Sequence, residues 1–139
     1  MPIHNFPFTS IRPGDIPRPW LPIRIINPTN NLTQNAYGLI DTGADECAIP
    51  ASYASLLGHD LQSGLERKIK TGNGVTTAYS HTATLTILNF QGDHVVNIEE
   101  TLVDFMPDLH IVLLGVKSFL SRFILTVNYP DQTFSLQWL

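Results

Sequence analysis

Tyr37-Gly38-Leu39-Ile40-Asp41-Thr42-Gly43-Ala44-Asp45 drives an apolar strand straight into a tight turn of small residues that carries a carboxylate. A carboxylate at the end of a hydrophobic strand suffers a desolvation cost unless it is hydrogen-bonded or protonated. Thr42 adds a hydroxyl there, and Gly43 lets another backbone approach closely. The tripeptide Asp-Thr-Gly by itself also suits an ordinary Asx turn. What separates a site from a turn is the order of elements on either side.

Working outward, Cys47-Ala48-Ile49 and Pro50 lead into a predicted short helix over Ala51 to Leu57, with proline near its first turn and Gly58 at its stop. Leu65 to Thr71 and Val75 to Leu88 read as a hairpin tipped by Gly72-Asn73-Gly74, with Ala83, Leu85 and Ile87 alternating with polar residues. Another strand is predicted near His94 to Val103, and then the apolar run Ile111-Val112-Leu113-Leu114 ends in Gly115. Gly115 to Ser121 reads as a turn or two of helix. Phe123, Leu125 and Val127 then alternate strictly, and a turn at Tyr129-Pro130-Asp131-Gln132 precedes a last strand carrying Phe134, Leu136 and Trp138. On the N-terminal side, Ile23 to Ile26 is a strand, followed by turn chemistry at Asn27 to Asn31. Residues 1–20 contain five prolines and form an extended N-terminal arm before a domain at 21–139.

Composition narrows the function classes. The 139 residues fit one compact domain, with 43% hydrophobic and 14% charged residues. A net charge of −4, with only Arg67, Lys68 and Lys70 as a basic run, gives no electrostatic case for nucleic acid. The arm lacks the apolar core of a signal peptide or membrane span, so the expected location is cytoplasmic and no membrane partner is expected. Cys47, the only cysteine, excludes an intrachain disulfide and reads as a small core residue, and the histidines lack metal-ligand spacing. Asp104 and Asp108 flank Met106-Pro107 and read as solvated loop carboxylates.

Taken in order, Leu39-Ile40-Asp41-Thr42-Gly43-Ala44, the hairpin around Gly72-Asn73-Gly74, and Leu113-Leu114-Gly115 resemble the retropepsins, the aspartic proteases of retroviruses and their cellular and bacterial relatives. The resemblance covers roughly Pro22 to Leu136. It implies an all-β, acid-protease β-barrel with short helices, one lobe per chain, no cofactor, and an extended peptide as substrate. The chemistry agrees: hydrolysis by an activated water needs one carboxylate as base and one neutral carboxyl to polarise the carbonyl. One chain offers a single Asp-Thr-Gly, so the second Asp41 must come from another copy, across the axis of a homodimer.

The resemblance also implies roles. Asp41 is the acid/base, Thr42 hydrogen-bonds across the dimer beneath the dyad, and Gly43 offers its carbonyl to substrate. Ala44 and Asp45 line the cleft, while Gly72, Asn73 and Gly74 lie at or near the tip of a flap that opens and closes. One departure stands out. Retroviral members follow the glycine of the second apolar strand with Arg and then Asp or Asn, and that Arg pairs with the acidic residue of the catalytic turn. Here the text is Gly115-Val116-Lys117, leaving Lys117 or Arg122 as substitutes. The arm and the Phe134 to Trp138 strand are candidate intersubunit surfaces. A non-catalytic dimeric module that grips an extended peptide in the same cleft is the alternative function.

Overall fold

The computed structural model describes residues 3–138. The strands are β1 (Ile3–Pro7), β2 (Trp20–Ile26), β3 (Thr33–Ile40), β4 (Ala48–Pro50), β5 (Leu65–Thr71), β6 (Gly74–Leu88), β7 (His94–Met106), β8 (Val112–Leu114), β9 (Phe123–Asn128) and β10 (Thr133–Trp138). Six of them, in the order β2-β3-β8-β4-β7-β6, close into a barrel through an additional β2–β6 pairing, and β5 extends from β6. The fold is all-β, as the alternating apolar pattern requires.

The barrel wall follows from two-residue periodicity. In β2, Leu21, Ile23 and Ile25 are fully buried while Pro22, Arg24 and Ile26 are half-buried. Inward-facing Leu85 and Ile87 of β6, Val103 and Phe105 of β7, Ile49 of β4 and Leu114 of β8 complete the core. Each such side chain contributes about 1.5–3 kcal/mol on burial. β4 is buried at all three positions because it lies between β7 and β8, pairing parallel to the first and antiparallel to the second. Pro50 is tolerated there as its last residue.

A second sheet has the order β1-β10-β9. β10 is its central strand, with Phe134 and Leu136 in the core, and it pairs with β1 on one side and β9 on the other within the same chain. The Phe134 to Trp138 strand, expected as a candidate intersubunit surface, therefore has both backbone edges occupied. The N-terminal arm is likewise tied to its own chain: Ile3, Phe6 and Phe8 are buried in the core, and Phe6 stacks on Phe90 with ring centroids 4.4 Å apart.

Two helical expectations are revised. The helix predicted over Ala51 to Leu57 shrinks to α1 (Tyr53–Leu56), since Pro50 belongs to β4 and Ser52 makes no side-chain cap bond. Gly58, at φ +72°, stops it as anticipated. The segment after Gly115 contains turns and a 3-10 helix over Leu120–Arg122 instead of α-helix. Burial of Phe119 and Leu120 holds the segment in that tighter winding.

Candidate active site

Asp41 follows directly from β3, and its position is set by the parallel pairing of β3 with β8. Gly38, Leu39 and Ile40 lie opposite Val112, Leu113 and Leu114. The ladder continues past the strand ends, where the Asp41 N–H donates to the Leu114 carbonyl at 3.1 Å. Gly38 permits this approach, because a Cβ there would stand 2.7 Å from Leu114 Cγ.

The turn is then closed on itself and clamped from below. Asp41 Oδ1 accepts the Gly43 N–H at 2.9 Å, and the Asp41 carbonyl accepts the Ala44 N–H at 3.2 Å. From the other side, Val116 N–H donates to the Ala44 carbonyl at 2.9 Å and Lys117 N–H to the Asp45 carbonyl at 2.7 Å. Gly115 sits inside this clamp, where a Cβ would be 2.3 Å from the Glu46 carbonyl oxygen. The glycine that ends the second apolar strand is thus a steric requirement of the turn that carries Asp41.

Opposite the turn stands the β5–β6 hairpin, in which Thr71 pairs with Gly74 across a two-residue tip of Gly72 and Asn73. Gly74 has φ +115°, a value that favours glycine. Between turn and hairpin lies a cleft of about 630 Å³. Of the residues expected to form the site, Asp41, Gly43, Ala44, Asp45 and Gly72 line it. Thr42 is exposed and lies outside the lining, and Asn73 and Gly74 occupy the hairpin tip beyond it.

The cleft also contains a charged pair that the sequence reading missed. Arg67 of β5 and Asp104 of β7 both line it, and the Arg67 guanidinium donates at 3.0 Å to each carboxylate oxygen of Asp104. Ser80 Oγ adds a 2.7 Å hydrogen bond to Asp104 Oδ1. Asp104 is 3% exposed, so it is a buried, paired carboxylate and not the solvated loop residue expected from its Met-Pro neighbourhood. The pair ties the base of the hairpin to the barrel beside the cleft. Its partners are 37 residues apart, and no local pattern announces a contact of that range.

The missing arginine after Gly115 has a partial replacement. Of the two candidates, Lys117 reaches acid near the turn: its Nζ lies 3.9 Å from Glu46 Oε1. That lysine is 69% exposed, so the pair contributes little, about 0–1 kcal/mol. The clamp therefore rests on backbone hydrogen bonds and the Gly115 contact more than on charge. Cys47 lies just beneath, 1% exposed, and its amide donates to Ser118 Oγ at 3.1 Å. Burial pushes its thiol above the ordinary range, so it is held as a neutral core residue.

An Asp-Thr-Gly turn locked under a strand-glycine clamp, on a closed six-stranded barrel with a hairpin over the cleft, defines the retropepsin class of fold. The family profile described as gag-polyprotein putative aspartyl protease matches residues 31–122, and the chain belongs to this family. Among solved structures, a retropepsin-like aspartic protease from Rickettsia conorii is 25% identical, with 96% of each chain covered and a TM-score of 0.59. The EIAV protease in an inhibitor complex is 22% identical, covering 77% of this chain and 88% of its own, with a TM-score of 0.43. No curated protein matches the chain in sequence.

Proposed function

We propose that the chain is an aspartic endopeptidase that works as a homodimer, with the Asp41 carboxyls of two copies facing each other across the two-fold axis. The observation that carries the reading is the placement of Asp41: fixed by backbone bonds just past Ile40, the buried last residue of β3, on the wall of a cleft large enough for an extended peptide. Membership of an aspartyl protease family supports it.

In this reading one Asp41 is ionised and the other protonated, because two adjacent like charges cannot both ionise cheaply, an effect that aspartic proteases exemplify. The carboxylate takes a proton from water as the water oxygen bonds to the scissile carbonyl carbon. The neutral carboxyl gives its proton to the carbonyl oxygen, leaving a tetrahedral gem-diol. Collapse returns a proton to the amide nitrogen, breaks the C–N bond and regenerates the pair. Thr42 braces the dyad from the partner side, and Gly43 accepts a backbone hydrogen bond from the peptide. Ala44 and Asp45 form the floor, and Gly72, Asn73 and Gly74 close over the substrate as the tip of a flap.

The test is cleavage of a diverse peptide mixture, read by mass spectrometry from acidic to neutral pH, with wild type and Asp41→Asn at the same high protomer concentration. Cuts made by the wild type alone support the reading. Binding of peptides without cleavage by either folded dimer refutes it and favours a non-catalytic peptide-binding module.

A further inference from the structure

A cavity of about 320 Å³ opens between β2, β3 and the turn that joins β6 to β7, with the N-terminal arm along one side. It shares no lining residue with the cleft that holds Asp41. Buried Phe6, Ile23 and Leu88 form its inner wall, while Tyr37 and Phe90, 53% and 63% exposed, stand at its mouth. Turns favour Gly, Pro, Asn, Asp and Ser, so a phenylalanine kept largely in water at a turn calls for a role. This turn is closed on itself: Asn89 Oδ1 accepts the Gln91 and Asp93 amides at 3.0 and 2.9 Å. Phe90 is further held by Phe6, which covers one face of its ring with the two planes within 9° of parallel. Thr9 is an independent observation. It lines the cavity, and its amide and carbonyl both bond to Arg18, at 3.0 and 2.9 Å. Its Oγ1 is nevertheless buried with no hydrogen-bond partner among the described residues. An unpaired buried hydroxyl is costly, and a turn about χ1 towards the cavity would break no existing bond.

We infer that this cavity is a binding site for a small, uncharged aromatic molecule that carries one hydroxyl or N–H group, such as a phenol or an indole. Each part of that chemistry answers a feature of the wall. The volume lies at the lower end of the range for small-molecule pockets, which gives room for one or two rings and none for a helix or a folded partner. No lining residue is charged, so an ionised ligand would lose its hydration without gaining a counter-charge. The rings of Phe6, Tyr37 and Phe90 offer faces and edges to a flat apolar guest. The Thr9 hydroxyl, which bonds to nothing in the empty cavity, then accepts from the guest's O–H or N–H. Because cavity and cleft have no residue in common, the site stands apart from the protease reading.

The test is an amide-shift titration of the isotope-labelled full chain, which needs neither cleavage nor a variant. The probes are p-cresol and indole, with toluene as the ring that lacks a hydrogen-bonding group, and p-hydroxybenzoate and tyramine as phenols carrying an anion and a cation. Dissociation constants for p-cresol and indole should lie below about 1 mM, with shifts centred on Thr9, Ala36 and Leu88 to Gly92. Toluene should bind about 5-fold more weakly, and the two ionised phenols at least about 10-fold more weakly. Thr9→Val keeps the side chain's shape; it should weaken p-cresol by about 5-fold and leave toluene unchanged. Phe90→Ala, at an exposed turn position, should weaken every neutral ring by at least about 5-fold. Spectra of the free variants that match wild type away from the cavity show that both are folded. Five results would each overturn the site: no saturable shift with any neutral ring; shifts centred on Asp41 and Gly72; ionised phenols that bind as tightly as p-cresol; a folded Thr9→Val protein that binds p-cresol like wild type; or saturable binding only of a tyrosine within a peptide, which would make the cavity a peptide-docking site instead.

Discussion

Gly115→Ala is the substitution for which the geometry gives the sharpest expectation. The added methyl would lie 2.3 Å from the Glu46 carbonyl oxygen, 2.5 Å from its carbon and 2.8 Å from the Ala44 oxygen. Ordinary non-bonded contact is near 3.5 Å, so the turn must retreat by roughly 1 Å. The obstructing atoms are backbone, and no rotamer change can relieve the clash. Overpacking of this kind costs about 1–3 kcal/mol. Retreat also stretches the Val116–Ala44 and Lys117–Asp45 hydrogen bonds, now 2.9 and 2.7 Å, at about 1 kcal/mol each. The expected loss is about 3–5 kcal/mol. It is read by urea unfolding at fixed protomer concentration, since association contributes to apparent stability. Displacement of Asp41 by that distance should also lower the proposed Asp41-dependent cleavage by about 100-fold. Gly72→Ala is the matched control, because nothing lies within 4 Å of a Cβ there, and it should stay within about 0.5 kcal/mol of wild type. A Gly115→Ala protein as stable as the Gly72→Ala control would refute the clamp.

Other perturbations have equally direct readouts. Arg67→Met leaves the buried Asp104 with Ser80 as its remaining side-chain donor; with Arg67 41% exposed and water able to replace it in part, the expected cost is about 2 kcal/mol by urea unfolding, and Asp104→Leu added to it should recover stability. His59 is kept below the usual imidazole value of 6.5, first by burial and then by His81, whose ring centroid is 4.4 Å away. The unfolded chain therefore takes up that proton first as pH falls, so His59 lowers stability progressively below about 6.5, and His59→Phe should flatten the slope of melting temperature against pH between 7 and 5. Cys47, buried and with its thiol pushed up, should resist a thiol-labelling reagent at pH 8 in the folded protein and react on unfolding; rapid labelling of the native state would contradict its packing.

The parts of this fold that the sequence announces are those governed by local rules. Alternation in Phe123 to Val127, the glycine-marked hairpin at Gly72 to Gly74, and the two apolar strands ending at Asp41 and Gly115 need only period, turn chemistry and order. Long-range pairing is less legible. Nothing in Phe134 to Trp138 tells that its edges are filled by β1 and β9 of the same chain, because an alternating strand looks alike at the centre of a sheet and at its end. The Arg67–Asp104 pair was hidden for a related reason: a carboxylate next to Met-Pro resembles a loop residue until β7 is seen to extend through Met106. The helices were overestimated where proline and glycine punctuation bounded segments that tertiary packing holds in strand or 3-10 form.

β6 serves two structures with a single uninterrupted run of 15 residues. From Gly74 to Ser80 it is one arm of the hairpin, and from Ile87 back to Thr84 it is a barrel stave between β2 and β7. A one-residue deletion near its barrel end would turn Leu85 and Ile87 outward and bring their polar neighbours in. The length of the hairpin can therefore vary at its tip, where one residue added to each arm leaves the barrel register untouched. Whatever peptides relatives of this chain have come to accept, the reach of the hairpin over the cleft is a quantity that evolution can adjust in pairs of residues, one on each arm.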